Sequence, residues 1–254
     1  MLKIENVKDG VVKVKLNRPE LHNAFNAELI LELTNTFKTL SEDKKLKLVI
    51  LEGEGQSFCA GADLNWMKSM KSYSFEENLA DSQKLYTLFE TINNLPVPLI
   101  GAINGHALGG GVGLVSVCDY AISTKSALYG FTEAKLGLLP AVISPFVTRK
   151  ISESYARAYF LSGERFSADI ALNMGLVHEV IENEKFSERL EKLIGSFLTA
   201  GPIAAREAKK LVKLNYIFPV NKADVTKAIS ERRISDEAQE GMSALLEKRK
   251  PSWG

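Results

Sequence analysis

Two cysteines, three histidines and no long apolar run leave this 254-residue chain short of several kinds of chemistry. Cys59 and Cys118 each stand alone in apolar surroundings, which reads as two core thiols and not a disulfide. His22, His106 and His178 are widely separated and lack the i, i+4 spacing of a metal-binding helix, so no metal site is expected. No stretch approaches the roughly 18 apolar residues of a membrane span. The opening Met1-Leu2-Lys3-Ile4-Glu5 carries charge too early for a secretory signal, and a cytoplasmic protein with no membrane partner is expected. Excess charge is missing too. The 32 basic and 31 acidic side chains leave a net charge of +1, so no general field draws the chain to nucleic acid. Any anionic ligand must be held locally.

What is present is ordinary globular composition, 45% hydrophobic and 25% charged, enough to bury a core in one large or two small domains. Val11–Leu16 alternates and is β-branched, reading as a strand that Asn17-Arg18-Pro19-Glu20 ends as a turn. Leu29, Ile30, Leu33, Phe37 and Leu40 recur at helical spacing, and Lys47–Leu51 reads as a buried strand, completing a β-α-β unit. Ser74 and Glu77 form a capping-box start for a helix to about Ile92, and Pro96 and Pro98 frame a strand over Leu99–Ile103. A second Gly-rich turn over 104–111 opens a helix of small apolar residues, and Asp119–Ser123 returns as a strand. Beyond about residue 140 helical periodicity dominates, over 185–198, 202–214 and 221–248. Arg232-Arg233 and Lys248-Arg249-Lys250 read as solvated helix faces. The outcome is an α/β core over 1–195 followed by a helical region over 196–254.

Two glycine-rich loops follow strands directly, Ser57–Asp63 and Asn104–Gly113. Neither fits a nucleotide fingerprint: the second lacks G-x-G-x-x-G spacing, and no Gly-Lys-Ser/Thr follows any glycine run. Gly55-Gln56-Ser57-Phe58-Cys59 lacks the last glycine of a nucleophile elbow. Each loop could be a bare turn. Together they could aim two backbone N–H groups at one carbonyl oxygen, with the positive end of a helix starting near Gly110 adding to the field. Glu133, in Tyr129-Gly130-Phe131-Thr132-Glu133, follows a short strand among apolar neighbours that would raise its pKa toward a value useful for proton transfer. On pattern alone, a surface glutamate at a helix start fits as well.

Six ordered motifs resemble the enoyl-CoA hydratase/isomerase (crotonase) superfamily over essentially the whole chain. They are Asn17-Arg18-Pro19 with Asn23-Ala24, Ala60-Gly61-Ala62-Asp63-Leu64, Asn104-Gly105 with Gly109-Gly110-Gly111, Cys118-Asp119, Glu133 with Gly137, and Glu240-Gly241-Met242-Ser243-Ala244 with Glu247–Pro251. The resemblance implies a spiral β-β-α core and a C-terminal helical region that joins subunits into a homotrimer or a hexamer. It implies the amides of Ala62 and Gly110 on the thioester oxygen and Glu133 as acid/base. Ala24, Ala60, Asp63 and Leu64 would border the coenzyme-A moiety, Gly109, Gly113 and Thr132 the substrate, and Lys248 would reach its phosphates. No separate cofactor is implied, because coenzyme A is part of the substrate.

One departure bears on the reaction. Hydratases of this family usually carry a second glutamate where this chain has Gly113. A lone Glu133 could still take a proton from water and return it to the α-carbon, or move a proton from C2 to C4 as a Δ3,Δ2-enoyl-CoA isomerase. On this reading Gly113 widens the pocket for a branched or carboxylated chain. The text around Trp66, Gly113 and Pro140-Ala141-Val142-Ile143-Ser144-Pro145 is similar to a methylglutaconyl-CoA or carboxygeranoyl-CoA hydratase subgroup, implying branched-chain amino acid or fatty acid metabolism and favouring a hydratase. A non-catalytic acyl-CoA-binding protein is the reading from another class.

Overall fold

A computed structural model of the chain describes residues 1–217, 231 and 235–253. Six of its strands form the repeating turns of a spiral, and each turn begins with a hydrophobic run. The strands β1 (Leu2–Lys8), β2 (Val11–Leu16), β3 (Leu48–Gly53), β5 (Leu99–Ile103), β7 (Tyr120–Thr124) and β10 (Glu179–Ile181) form one sheet in the order β1-β2-β3-β5-β7-β10. All its pairings are parallel except β1 with β2. The short strands β4 (Ser57–Cys59), β6 (His106–Leu108), β8 (Leu128–Gly130) and β9 (Arg165–Ser167) form a second sheet in that order. The chain therefore visits the large sheet, then the small sheet, then a helix, three times in succession: β3-β4, β5-β6 and β7-β8. This is the spiral β-β-α core that the motifs imply.

The large sheet is apolar on both faces because helices cover both. Along β3, Val49 and Leu51 enter the main core, while Leu48 and Ile50 turn to a second cluster with Phe186, Leu190, Leu193 and Ile194. Those four lie on one stripe of the helix Phe186–Leu198 (α8). The main core is closed by α1 (Ala27–Glu42) and α3 (Phe75–Asn93). Local chemistry starts both helices: the Asn26 side chain accepts from the Leu29 amide at 2.8 Å, and Ser74 and Glu77 exchange both capping-box bonds. The remaining helices are α2 (Leu64–Met70), α4 (Gly110–Val117), α5 (Ser144–Val147), α6 (Glu153–Ser162), α7 (Ala168–Asn173), α9 (Pro202–Ile217) and α10 (Asp236–Leu246).

The boundary at 195 falls inside α8, whose apolar stripe belongs to the sheet. Helix α9 meets the core through cations: Arg206 donates to Leu46 O at 2.6 Å, Lys209 to Val97 O at 3.0 Å and Asp119 at 2.6 Å, and Lys213 to Asn94. Of the helix expected over 221–248, Asp236–Leu246 is observed, and Arg232 and Arg233 lie outside the described residues. Cys59 and Cys118 are free and fully buried, and burial pushes both thiols up to about 12. Among the described residues no helix is long and apolar enough to cross a membrane, and no cluster of His, Cys, Asp and Glu could hold a metal ion.

Candidate active site

The three adjacent strands β4, β6 and β8 of the small sheet end side by side, and each is followed within three residues by one piece of the candidate chemistry. Cys59 leads to Ala62, Leu108 to Gly110 and Gly130 to Glu133. Neighbouring strands in a sheet are about 4.8 Å apart, so the pairing of these short strands places the three loops in register.

The loops touch at two glycines whose backbones no other residue would readily adopt. Gly61 has φ +91° and Gly109 φ +51°. A methyl on Gly61 would sit 2.9 Å from Leu108 O, and one on Gly109 would sit 3.2 Å from Glu133 Oε1 and 3.9 Å from Gly61 Cα. Gly109 is thus the point where the Ala62 loop and the Glu133 carboxylate converge. Among the described residues, neither the Ala62 amide nor the Gly110 amide meets a hydrogen-bond acceptor. The Gly110 amide belongs to the first turn of the eight-residue helix α4, where the helix dipole is positive. Two free amides beside one carboxylate can stabilise an oxyanion and move a proton next to it.

Glu133 lies in the first turn of a short 3-10 helix over Thr132–Leu136. Its Oε2 is buried without a hydrogen-bond partner among the described residues, and burial raises its pKa above the usual carboxylate range. That environment suits proton transfer and differs from that of a solvated helix-start glutamate. Thr132, half-buried, opens the same turn, and its Cγ2 comes within 3.4 Å of where a methyl on Gly130 would lie.

The remaining predicted residues fall in different places. Ala24 is buried, Ala60 is half-buried, and Leu64 is 78% exposed at the start of α2. Asp63 is buried, and its carboxylate pairs with Arg18 at 2.8 Å and caps α2 through the Asn65 amide. Burial pushes that carboxyl up, yet Arg18 and the amides of Asn65 and Trp66 together hold it below the ordinary range. The Asp63 backbone is engaged as well, its amide donating to Phe25 O and its carbonyl accepting from the Met67 amide. Arg18 also donates to Ala24 O at 2.6 Å, and Asn23 bonds Glu54 O and Ser57 O, so the Asn17–Ala24 motif fastens its turn to the Ala62 loop. Sequence reasoning assigned no role to Arg18 or Asn23; the opposite charges of Arg18 and Asp63 in two motifs were the available signal. Lys248 is exposed in a left-handed turn after α10, and among the described residues no hydrogen bond or ion pair joins it to Glu133 or the two loops.

Gly113 requires a correction. It does not widen the pocket: a methyl there would lie 2.5 Å from Ile143 Cγ2 and 2.8 Å from two atoms of the Phe89 ring. The space into which a side chain at 113 would project is filled by apolar carbon, and Ile143 comes from the Pro140–Pro145 segment.

Residues 6–254 match the family described as enoyl-CoA hydratase/isomerase. The chain belongs to that family. It is 31% identical to the crotonyl-CoA hydratase of Syntrophomonas wolfei, over 94% of this chain and 92% of that protein. It is 30% identical to the 2,3-dehydroadipyl-CoA hydratase of Escherichia coli, over 96% and 94% of the two chains. The structure superposes on an enoyl-CoA hydratase from Shewanella pealeana with a TM-score of 0.92, at 34% identity over 99% of this chain and 95% of that one. Membership makes this protein an enzyme of the hydratase/isomerase type, and an acyl-CoA thioester is consistent with it as substrate.

Proposed function

We propose that the protein hydrates a 2-enoyl-CoA. Glu133 takes a proton from water, the oxygen adds to C3, and the π electrons move onto the thioester oxygen as an enolate held by the Ala62 and Gly110 amides. Glu133 then returns the proton to C2, so the elements of one water are added and the carboxylate is regenerated. The observation that carries the reading is the buried, unpartnered Glu133 Oε2 on a carboxylate lying against Gly109, one residue before the free Gly110 amide. The names of the crotonyl-CoA and 2,3-dehydroadipyl-CoA hydratases support hydration, and these two acyl groups differ too much to choose the chain. A branched, methylglutaconyl-like acyl group is our choice on the resemblance of the segments around Trp66, Gly113 and Pro140–Pro145 to that subgroup, and not on space at Gly113.

The closed space at Gly113 favours a second reading, Δ3,Δ2-enoyl-CoA isomerisation, because one carboxylate can serve both C2 and C4. We assign no cofactor beyond the coenzyme A of the substrate, a cytoplasmic location, and a homotrimer or hexamer joined through the C-terminal helices. Incubating the protein with 2-enoyl- and 3-enoyl-CoA thioesters, straight, branched and carboxylated, and weighing the products tests this. A gain of one water that is lost in Glu133→Gln is the expected result. An unchanged mass with a migrated double bond replaces hydratase by isomerase, and binding without either product makes the chain an acyl-CoA-binding protein.

A further inference from the structure

We propose that Phe25 is a positioning residue that sets the separation of the two oxyanion amides, with Phe89 backing it; this rests on the role given above to Ala62 and Gly110. Phe25 touches both loops at once. Its backbone brackets Ala62: its amide donates to Gly61 O at 2.6 Å, and its carbonyl accepts from the Asp63 amide at 2.8 Å. Ala62 is accordingly the residue paired with Phe25 in an isolated parallel bridge. The side chain reaches the other loop. A methyl on Gly110 would lie 2.8 Å from Phe25 Cε2 and 3.0 Å from Cδ2, so the ring is a floor directly beneath the start of α4.

Phe89 completes the support. It stands edge-on to Phe25, ring centroids 6.3 Å apart and planes at 90°, an arrangement that aromatic pairs favour. Its ring also lies 4.0 Å from the methyl position of Gly110 and 2.8 Å from that of Gly113. The two rings therefore span the first turn of α4, and both are buried, at 1% and 0% exposure. Strand pairing brings the loops together only up to the ends of β4 and β6. Beyond those ends, the Phe25 backbone fixes one donor and its ring fixes the other.

Neither ring can exchange a proton, so their contribution is distance alone. A smaller side chain at 25 keeps the backbone bonds to the Ala62 loop but removes the floor under Gly110, and the two amides then no longer converge on one point. Because the oxyanion needs both donors more in the transition state than in the ground state, misplacement lowers kcat rather than raising KM.

The test compares Phe25→Leu and Phe89→Leu with Phe37→Leu, a control at a fully buried phenylalanine on α1. Two readouts are taken: kcat and KM on the enoyl thioester that the wild type turns over, and the near-ultraviolet absorbance of bound acetoacetyl-CoA, whose enolate reports oxyanion stabilisation directly. In Phe25→Leu, kcat falls on the order of tenfold or more while KM stays within about threefold, and the enolate band weakens. Phe89→Leu shows the same pattern more weakly, and Phe37→Leu keeps both readouts while unfolding at a lower temperature. A Phe25→Leu enzyme whose kcat and band fall no further than those of Phe37→Leu overturns the proposal. If the wild type turns over no thioester but binds acetoacetyl-CoA as its enolate, the hydratase reading fails and the band still decides the role of Phe25. A wild type with neither turnover nor band overturns both.

Discussion

Replacing Glu133 by glutamine should slow turnover by orders of magnitude and make the protein more stable at the same time. The carboxylate has one oxygen buried without a partner, and burial alone raises its pKa. Leaving a buried polar group unsatisfied costs ~1–3 kcal/mol, and more when it is charged. The neutral amide fills the same volume without the charge, so on the order of 1–2 kcal/mol should be recovered where the wild type is ionised. At about 2–4 °C per kcal/mol for a domain of this size, that is a rise of several degrees in Tm.

The pH dependence fixes the sign. A folded pKa above the unfolded value of about 4.3 means that the folded state holds the proton more tightly. Its contribution to stability is present in full below the unfolded value and is lost as pH rises through the folded one. Wild type and Glu133→Gln should therefore unfold at similar temperatures near pH 4 and separate as pH rises through the raised pKa of Glu133. The ascending limb of kcat/KM for the wild type should appear in that same interval, because the free enzyme needs the ionised base. Loss of the acid/base should lower kcat by roughly 10²–10⁴-fold. Calorimetry of both proteins between pH 4 and 8, beside the pH–rate profile, makes the comparison. A variant equal to or less stable than wild type at pH 8, or a stability gap that opens away from the kinetic limb, refutes the reasoning.

Three further outcomes follow from other parts of the structure. Arg18→Met strands the buried Asp63 carboxylate and should cost about 3–5 kcal/mol, read as a fall in the urea midpoint without a change in slope. Gly113→Glu should lower the denaturation temperature, by about 1–3 kcal/mol in stability, and should not raise the hydration rate, because Ile143 and Phe89 occupy the space; a faster, stable variant would contradict the packing. Burial and then Lys150 lower the pKa of His178, whose Nδ1 accepts from the Ala121 amide at 3.0 Å. Its unfolded form binds the proton more readily, so stability should fall as pH drops below about 6.5, and His178→Asn should lose less over that range in a pH series of melts.

What could be read from the sequence follows how local each signal is. Helix α1 carries its own period and the start of α3 its own capping box, so both emerge from a dozen neighbouring residues. Strand β1 escaped because it is a half-exposed edge in which Lys3, Glu5 and Lys8 interrupt the apolar pattern. The strands β4, β6, β8 and β9 are three residues each, too short to show alternation, and exist only through pairings tens of residues apart. The candidate site residues come from motifs and not from periodicity. What no motif revealed is direction: that the Asp63 carboxylate turns inward to Arg18, and that Phe89 and Ile143 stand where a side chain at 113 would point. Both are contacts between distant segments, fixed only once the spiral closes.

The side-by-side ends of β4, β6 and β8 have a consequence for how such a catalyst can change. The first two supply only main-chain amides, which every residue but proline possesses, so ordinary substitution at 62 or 110 cannot delete a donor; it can only crowd one. The third strand supplies a side chain, and that one can be exchanged by a single codon. On the proposed mechanism, charge stabilisation is thus lodged in the backbone, and the identity of the proton carrier in one replaceable residue. A chain built this way can move from one enolate reaction to another without first losing its means of holding the enolate.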